Sequence, residues 1–156
     1  MFRVDIPGVG TITLEHIVSD FSGTLSVDGE LVPGVKERLK KLAEILTVHI
    51  LTADTHGKAR VALEGINARV SILEGDIHSA AKANYVNRLG AESVIAFGNG
   101  NNDIKMLALA GIGVAVCLTE GVACPALQQA DIAVTSIVDG LDLLLNPKRL
   151  IATMRR

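Results

Sequence analysis

Six short runs rich in aliphatic residues recur along this chain, and most of their positions are apolar instead of alternating strictly with polar residues. Uniform apolar runs are typical of strands that are buried on both faces of a parallel sheet. Segments with helical spacing lie between them, the first with Val35, Leu39 and Leu42 behind Pro33. This alternation predicts an α/β fold in which helices cover both faces of a mostly parallel sheet. The predicted strands are residues 17–20, 48–51, 70–73, 94–97, 112–116 and 132–134.

The remaining patterns complete the outline of one domain. Alternating apolar residues at Phe2, Val4 and Ile6, a turn over 7–10 and further alternation over 11–14 predict an N-terminal β-hairpin. Gly90 is placed to end the helix that precedes it. Because no linker rich in Pro, Gly and Ser interrupts the chain, we expect residues 1–156 to form a single domain. The other predicted helices are residues 58–63, 80–89, 102–109 and 141–145.

The composition narrows the class of protein. The mean hydropathy is +0.39, but the longest uncharged apolar stretch, 106–119, is shorter than the roughly 18 residues that a membrane-spanning helix requires. No export signal is visible at the N-terminus, so a soluble, cytoplasmic protein is expected. The net charge of −2 and an aromatic content of 3% offer neither a basic stripe nor stacking rings, which argues against nucleic acid as a partner.

The two cysteines carry no metal-binding pattern. Cys117 and Cys124 have no second cysteine pair and no histidine at ligand spacing. We therefore predict two reduced thiols in or near the hydrophobic core.

Polar residues follow the first buried strand, as Asp20-Phe21-Ser22-Gly23-Thr24. Ligands collect at the carboxyl ends of strands in such sheets. A carboxylate there, followed by a glycine and a hydroxyl, offers a nucleophile or metal ligand beside backbone N–H groups that can bind an anion. An Asx-type turn that leaves the strand is the structural alternative.

Two further strand ends carry polar residues. Thr52-Ala53-Asp54 follows the second strand, where Thr52 is either a ligand or the N-cap of the next helix. The fourth strand ends in Gly98-Asn99-Gly100-Asn101-Asn102-Asp103, whose glycines permit an irregular backbone and whose side chains can bind a metal or phosphate. Lys82 lies in the helix before this strand; taken alone, a helical lysine is normally a surface group.

Together these segments resemble the haloacid dehalogenase superfamily. Its first motif, DxDx(T/V), corresponds to residues 20–24, and the resemblance is closest to the phosphorylation domain of P-type ATPases, whose DKTGT is matched at Asp20, Gly23 and Thr24. Residues 52–54 resemble the TGD of those pumps, and residues 98–103 resemble their GDGxND. Residues 111–115 and 130–132 also resemble pump segments, so the likeness extends from 17 to about 134. The chain has no membrane region, and residues 25–51 are too short to hold the nucleotide-binding domain of a pump.

The resemblance implies the fold of the haloacid dehalogenase (HAD) superfamily, which is a HAD-like, Rossmann-like three-layer sandwich, here without a large cap domain. It assigns Asp20 as the nucleophile that becomes an aspartyl phosphate, with Thr52 and Lys82 holding the transferring oxygens. Backbone N–H groups around Gly23 and Thr24 complete the phosphate environment, to which Ala53 and Asp54 also belong.

The resemblance also implies a Mg²⁺ site. Its ligands are Asp20, the carbonyl oxygen of Ser22 and the loop at 98–103, with Asn99 and Asp103 as candidates in that loop. Asn99 replaces an aspartate of the motif, so the site loses a negative charge and should bind Mg²⁺ more weakly. Asp103 either compensates for that loss or stays behind the ligands to orient Lys82.

A second departure concerns the acid–base group. In phosphatases of this superfamily the residue two positions beyond the nucleophile is an aspartate, and here it is Ser22. General acid–base catalysis typically contributes about 10²–10⁴ in rate, so we expect slow turnover or a long-lived phosphoenzyme.

These features predict a Mg²⁺-dependent phosphatase or phosphotransferase acting on a phosphorylated small molecule or a phosphoprotein. A non-catalytic, regulatory phosphate-binding module is the alternative. A phosphoacceptor receiver domain fits less well, because its acceptor lies on a strand in the middle of the chain order, whereas Asp20 ends the first buried strand. No membrane or nucleic-acid partner is expected, and a homo-oligomer whose neighbour supplies a lid stays open. His56 is the histidine best placed to line the entrance.

Overall fold

A computed structural model describes residues 1–54 and 57–156. A six-stranded parallel sheet forms its centre, in the order β10-β9-β8-β3-β6-β7. Its strands are β3 (His16–Asp20), β6 (Thr47–Thr52), β7 (Ala68–Ile72), β8 (Val94–Gly98), β9 (Ile112–Val116) and β10 (Ile132–Val134). Two antiparallel hairpins accompany the sheet, β1 (Phe2–Ile6) with β2 (Gly10–Leu14) and β4 (Ser26–Val27) with β5 (Glu30–Leu31).

Helices cover both faces of the sheet, so the strands are buried from two sides. One core cluster contains Ile17 and residues of α1 (Val35–Leu42), α2 (Lys58–Ala62), α6 (Ile137–Leu145) and α7 (Pro147–Met154). The other contains Val18 and residues of α3 (His78–Leu89), α4 (Ile104–Leu109) and α5 (Cys124–Gln129). Ile17 and Val18 point to opposite faces of the sheet and both are buried. Neighbouring positions of this strand are therefore both apolar.

The predicted fold class is confirmed. All six predicted strands and the N-terminal hairpin are present, and only the small β4–β5 hairpin lies between β3 and α1, where a large cap is absent. The β4–β5 hairpin, α5 and α7 were not predicted. The last predicted helix begins earlier, at Ile137, because the Ser136 hydroxyl caps it by accepting from the Asp139 N–H.

Strand β3 occupies the position that matters for a site. It pairs in parallel with β6 on one side and with β8 on the other, so chain order reverses at β3. Crevices for ligands open at such a reversal, beyond the carboxyl ends of the strands. Two strands away from β3, the backbone of α4 closely approaches the backbone of β9: a Cβ on Gly113 would lie 2.3 Å from the Leu107 carbonyl oxygen.

The prediction of core cysteines is wrong. Cys117 and Cys124 are both exposed. Cys117 lies just beyond the end of β9, and Cys124 is the first residue of α5, so both occupy element ends rather than buried faces. No helix within residues 1–54 and 57–156 combines the length and the hydropathy that crossing a bilayer requires.

Candidate functional site

Asp20 is the last residue of the central strand β3, and the residue is 8% exposed. The Lys82 ammonium donates to Oδ1 at 2.9 Å, and the Thr24 hydroxyl donates to Oδ2 at 3.2 Å. Each carboxylate oxygen therefore accepts one hydrogen bond and faces a cleft at the carboxyl edge of the sheet. This is the arrangement expected of a positioned nucleophile.

Lys82 is buried, contrary to what a helical lysine alone suggests. It is 1% exposed and reaches from α3 to two carboxylates, Asp20 at 2.9 Å and Asp103 at 2.7 Å. Burial lowers the pKa of Lys82, but the two carboxylates outweigh burial and raise it, so the ammonium stays charged. Two buried negative charges thus share one positive charge.

The carboxyl of Asp20 is harder to ionise than an ordinary aspartate. Burial raises the pKa of Asp20, and the nearby Asp103 raises it further, whereas Lys82 and Thr24 oppose both effects. The net result is a pKa of about 6 in place of 3.8. A bound cation would favour the ionised carboxylate.

The loop after Asp20 is held by its own backbone. The Gly23 N–H donates to the Ser26 carbonyl at 2.9 Å, and the Thr24 N–H donates to the Phe21 carbonyl at 3.3 Å. These two amides therefore stabilise the loop. Contrary to the prediction, their N–H groups are not available to bind an anion. The Thr24 hydroxyl is the group from this pair that reaches Asp20.

Thr52 is not the N-cap of the next helix, because α2 begins at Lys58 behind Gly57. Thr52, the last residue of β6, is buried beside the cleft, and its hydroxyl accepts from the Asp54 N–H at 3.2 Å. Asp54 Oδ2 accepts from the Ala59 N–H at 2.6 Å, so the carboxylate caps the first turn of α2. Ala53 and Asp54 also line the cleft.

Asn99 follows β8 and is fixed from two sides. Its Oδ1 accepts from the Thr24 hydroxyl at 3.3 Å, and its Nδ2 donates to the Gly121 carbonyl at 3.2 Å. Gly23 lies against this amide with a φ of +76°, and a Cβ there would lie 2.6 Å from Nδ2. The positive φ and the close amide favour glycine at that position, and the Asn99 oxygen faces the Thr24 hydroxyl.

Asp103 lies behind Lys82. Its side chain is fully buried; Oδ1 accepts from Lys82, and Oδ2 accepts from the N–H groups of Asn99 at 2.9 Å and Gly100 at 3.0 Å. Both oxygens are engaged, and Asp103 does not line the cleft. The geometry therefore favours a positioning role for Asp103 over metal ligation.

The residues around the cleft fit Mg²⁺ in donor chemistry. Asp20 Oδ2 and Asn99 Oδ1 converge on the same Thr24 hydroxyl, and Ser22 lines the cleft beside them. Carboxylate, amide and main-chain carbonyl oxygens are the donors that Mg²⁺ prefers. No group of three His, Cys, Asp or Glu side chains that could hold a metal occurs within the described ranges.

The cleft is lined by the predicted residues and by several others. Its volume is about 350 Å³, and it contains Asp20, Ser22, Thr52, Lys82 and Asn99 together. Phe21 and Asn102, which belong to the first and last motifs, also line the cleft, and sequence reasoning missed three further lining residues that no motif contains: Gly29, Lys58 and His78.

The histidine predicted to line the entrance, His56, lies outside the described residues. His78 lines the cleft. His16 and His49 form a chain with Tyr85 on the α3 side of the sheet, with distances of 3.1 Å between the imidazoles and 2.9 Å from His49 Nδ1 to the tyrosine oxygen. Burial lowers the pKa of His49 to about 4, and His16 and Arg69 add to this effect.

Known proteins are similar to this chain in sequence and in fold. A family model described as haloacid dehalogenase-like hydrolase matches residues 71–119. An uncharacterised protein of Methanocaldococcus jannaschii is 47% identical over 64 residues, which make up 41% of this chain and 69% of that protein.

Two solved structures extend the comparison. A 3-deoxy-D-manno-octulosonate 8-phosphate phosphatase from Moraxella catarrhalis, solved with magnesium ion, phosphate ion and KDO, has a TM-score of 0.71 at 17% identity, covering 91% of this chain and 94% of that one. The catalytic domain of the CPx-ATPase CopB-B has a TM-score of 0.61 at 28% identity, covering 74% of this chain and 46% of that one.

Proposed function

The chain belongs to the haloacid dehalogenase superfamily of hydrolases, and from that premise we propose that it is a Mg²⁺-dependent phosphatase or phosphotransferase acting through an aspartyl phosphate on Asp20. The observation that carries the proposal is the buried Asp20–Lys82–Asp103 triad at the carboxyl edge of the sheet. The substrate is a phosphorylated small molecule or a phosphoprotein.

The first step transfers a phosphoryl group to Asp20. A carboxylate oxygen forms a bond to phosphorus while the ester P–O bond breaks, and the electron pair leaves with the alcohol or phenol oxygen, which takes a proton from water. Lys82 holds the attacking carboxylate in place, and Thr24 fixes its other oxygen. Positioning and charge neutralisation account for most of the catalysis in reactions of this kind.

The second step regenerates the carboxylate. The oxygen of a water molecule bonds to phosphorus, the P–O bond to Asp20 breaks, and a proton passes to solvent. In a phosphotransferase an acceptor hydroxyl takes the place of water. Ser22 lines the cleft where other phosphatases of the superfamily carry an aspartate, and its hydroxyl cannot act as a base near neutral pH. The aspartyl phosphate is therefore long-lived.

Mg²⁺, when bound, supplies positive charge that offsets the charge on the phosphoryl oxygens. Asp20, the carbonyl oxygen of Ser22 and Asn99 would hold it. Asp103 keeps Lys82 and the loop amides in position without facing the cleft itself.

The test is hydrolysis of p-nitrophenyl phosphate with and without Mg²⁺, together with mass spectrometry of the acid-quenched protein. We expect Mg²⁺-dependent release of p-nitrophenol and one added phosphoryl group on the Asp20 peptide. Asp20→Asn should abolish both. Asp139→Asn, an exposed aspartate on α6, is the matched control and should retain both. Unchanged hydrolysis by Asp20→Asn would refute the proposal.

A non-catalytic phosphate-binding module is the second candidate, favoured by the neutral Asn99 that is fixed on Gly121. Thermal unfolding distinguishes the two. Beryllium fluoride with Mg²⁺ mimics a phosphoryl group on an acceptor carboxylate and should raise the melting temperature if Asp20 is an acceptor. A module that only binds phosphate should respond to inorganic phosphate and not to beryllium fluoride.

A further inference from the structure

The cleft continues beyond the phosphoryl centre to Lys58, the first residue of α2. Lys58 lines the same 350 Å³ cavity as Asp20 and Lys82, and no motif of the sequence includes it. A cavity of this size suits a small molecule whose parts reach both ends.

The side chain of Lys58 has a defined place. It packs beside Gly29 in the turn of the β4–β5 hairpin, where a Cβ would lie 3.5 Å from its Cδ and 3.9 Å from its Nζ. Gly29 has a φ of +84°, a conformation that favours glycine. The absence of a side chain at this position also leaves room for Lys58. Lys58 is exposed and lines the wall of the cleft.

The charge of Lys58 is available to a ligand. It forms no ion pair with any carboxylate in the described part of the chain, although Glu30 borders the adjoining hollow. Lys82, in contrast, is already shared by two carboxylates, so that triad carries a net negative charge. Among the residues that the structure describes, Lys58 is thus the lysine of the cleft with no carboxylate at ion-pair distance.

A phosphoester with a neutral leaving group would leave this lysine without a partner. We propose that Lys58 binds a second anionic group of the substrate, so that the preferred substrates are small phosphoesters whose leaving group carries a carboxylate or a second phosphate. His78 and Asn102 line the same cavity and can hydrogen-bond the body of such a leaving group. The inference rests on the proposed function, because it assumes that the phosphoryl group lies at Asp20.

Phosphonates test the inference without turnover, because their P–C bond is not hydrolysed. Three ligands of matched length are compared by calorimetric titration with Mg²⁺ at constant ionic strength: propylphosphonate, 3-phosphonopropionate and ethane-1,2-bisphosphonate. Charged hydrogen bonds of this type correspond to about tenfold or more in affinity. The wild-type protein should bind one or both doubly anionic ligands at least about tenfold more tightly than propylphosphonate. Which of the two gains more identifies the second group as carboxylate or phosphate.

Variants assign the preference to Lys58. Lys58→Gln should remove the preference, Lys58→Arg should preserve most of it, and Lys40→Gln, an exposed lysine on α1, should leave it intact. Butylphosphonate and 4-phosphonobutyrate repeat the comparison with a longer reach. Equal wild-type affinities at both lengths, absence of binding, or an equal loss for all ligands in Lys58→Gln would overturn the inference.

The outcome separates the two proposals. Turnover of p-nitrophenyl phosphate, whose leaving group has no second anionic group, judges the proposed function alone. Discrimination among phosphonates without turnover would retain Lys58 as an anion-binding residue and refute the catalytic proposal.

Discussion

Replacing Lys82 by methionine tests the charge balance of the site. The substitution keeps an unbranched side chain of similar length but removes the one cation between Asp20 and Asp103. Each carboxylate loses its Oδ1 partner, while Thr24 still donates to Asp20. Breaking a buried ion pair by removing one partner typically costs about 3–5 kcal/mol. In a chain of this size that corresponds to a fall of about 6–20 °C in melting temperature.

The loss should depend on pH in a defined direction. The pKa of Asp20 is about 6 with Lys82 present, above its unfolded value of 3.8, and it rises further without Lys82. A carboxyl whose folded pKa exceeds its unfolded value destabilises the fold as pH rises through the folded pKa. Lys82→Met should therefore be most destabilising at about pH 8 and much less so at about pH 5, where the carboxyls hold protons.

The assay is urea unfolding in EDTA, which keeps metal ions out of the comparison. The control is Lys40→Met, which changes an exposed lysine and should alter the free energy of unfolding by less than about 0.5 kcal/mol. A loss below about 1 kcal/mol at pH 8 for Lys82→Met would refute the charge balance described above. So would a loss that does not shrink toward pH 5.

Three further predictions address other groups. Ser22→Asp adds an acid–base group at an exposed position of the cleft and should raise the kcat for p-nitrophenyl phosphate at least about tenfold over Ser22→Asn; equal rates would contradict it. Asn99→Asp removes the donor to the Gly121 carbonyl, so it should cost about 1–3 kcal/mol in EDTA yet lower the Mg²⁺ concentration needed for half-maximal stabilisation; a variant as stable as wild type in EDTA would count against this. The buried His49 titrates at about 4 instead of 6.5, so the stability that it contributes is present above pH 6.5 and is lost as pH falls toward 4. His49→Gln should flatten the dependence of unfolding free energy on pH in that range by about 2 kcal/mol, and an unchanged slope in urea titrations would contradict this.

Residues at strand ends were predictable because position and chemistry agree there. The strand that ends in Asp20 has buried apolar residues at Ile17 and Val18, and a carboxylate after such residues has few purely structural reasons to be there. Thr52 and Asn99 follow the same logic, and the structure places both on the cleft.

Residues on helices and in short turns were not predictable from local pattern. The burial of Lys82 depends on Asp20 at the end of β3 and on Asp103 in the segment after β8, and a helical pattern by itself gives a lysine no partner. Lys58 lies beside Gly29 in the turn of the β4–β5 hairpin, and strands of two residues have no periodicity to detect. The cysteines were misplaced because average burial of a residue type does not say where an element ends.

The residues of the site are brought together only by the folded chain. Asp20 and Lys82 are 62 positions apart, and Thr24 and Asn99 are 75 apart, so neither pair is formed by local structure alone. A ligand that needs all of them binds the folded chain and not the unfolded one, and at a hundred times its dissociation constant it adds about 2.7 kcal/mol to stability. Protein molecules with bound substrate should therefore resist proteolysis longer than molecules without it. The abundance of the protein should then depend on the concentration of its substrate.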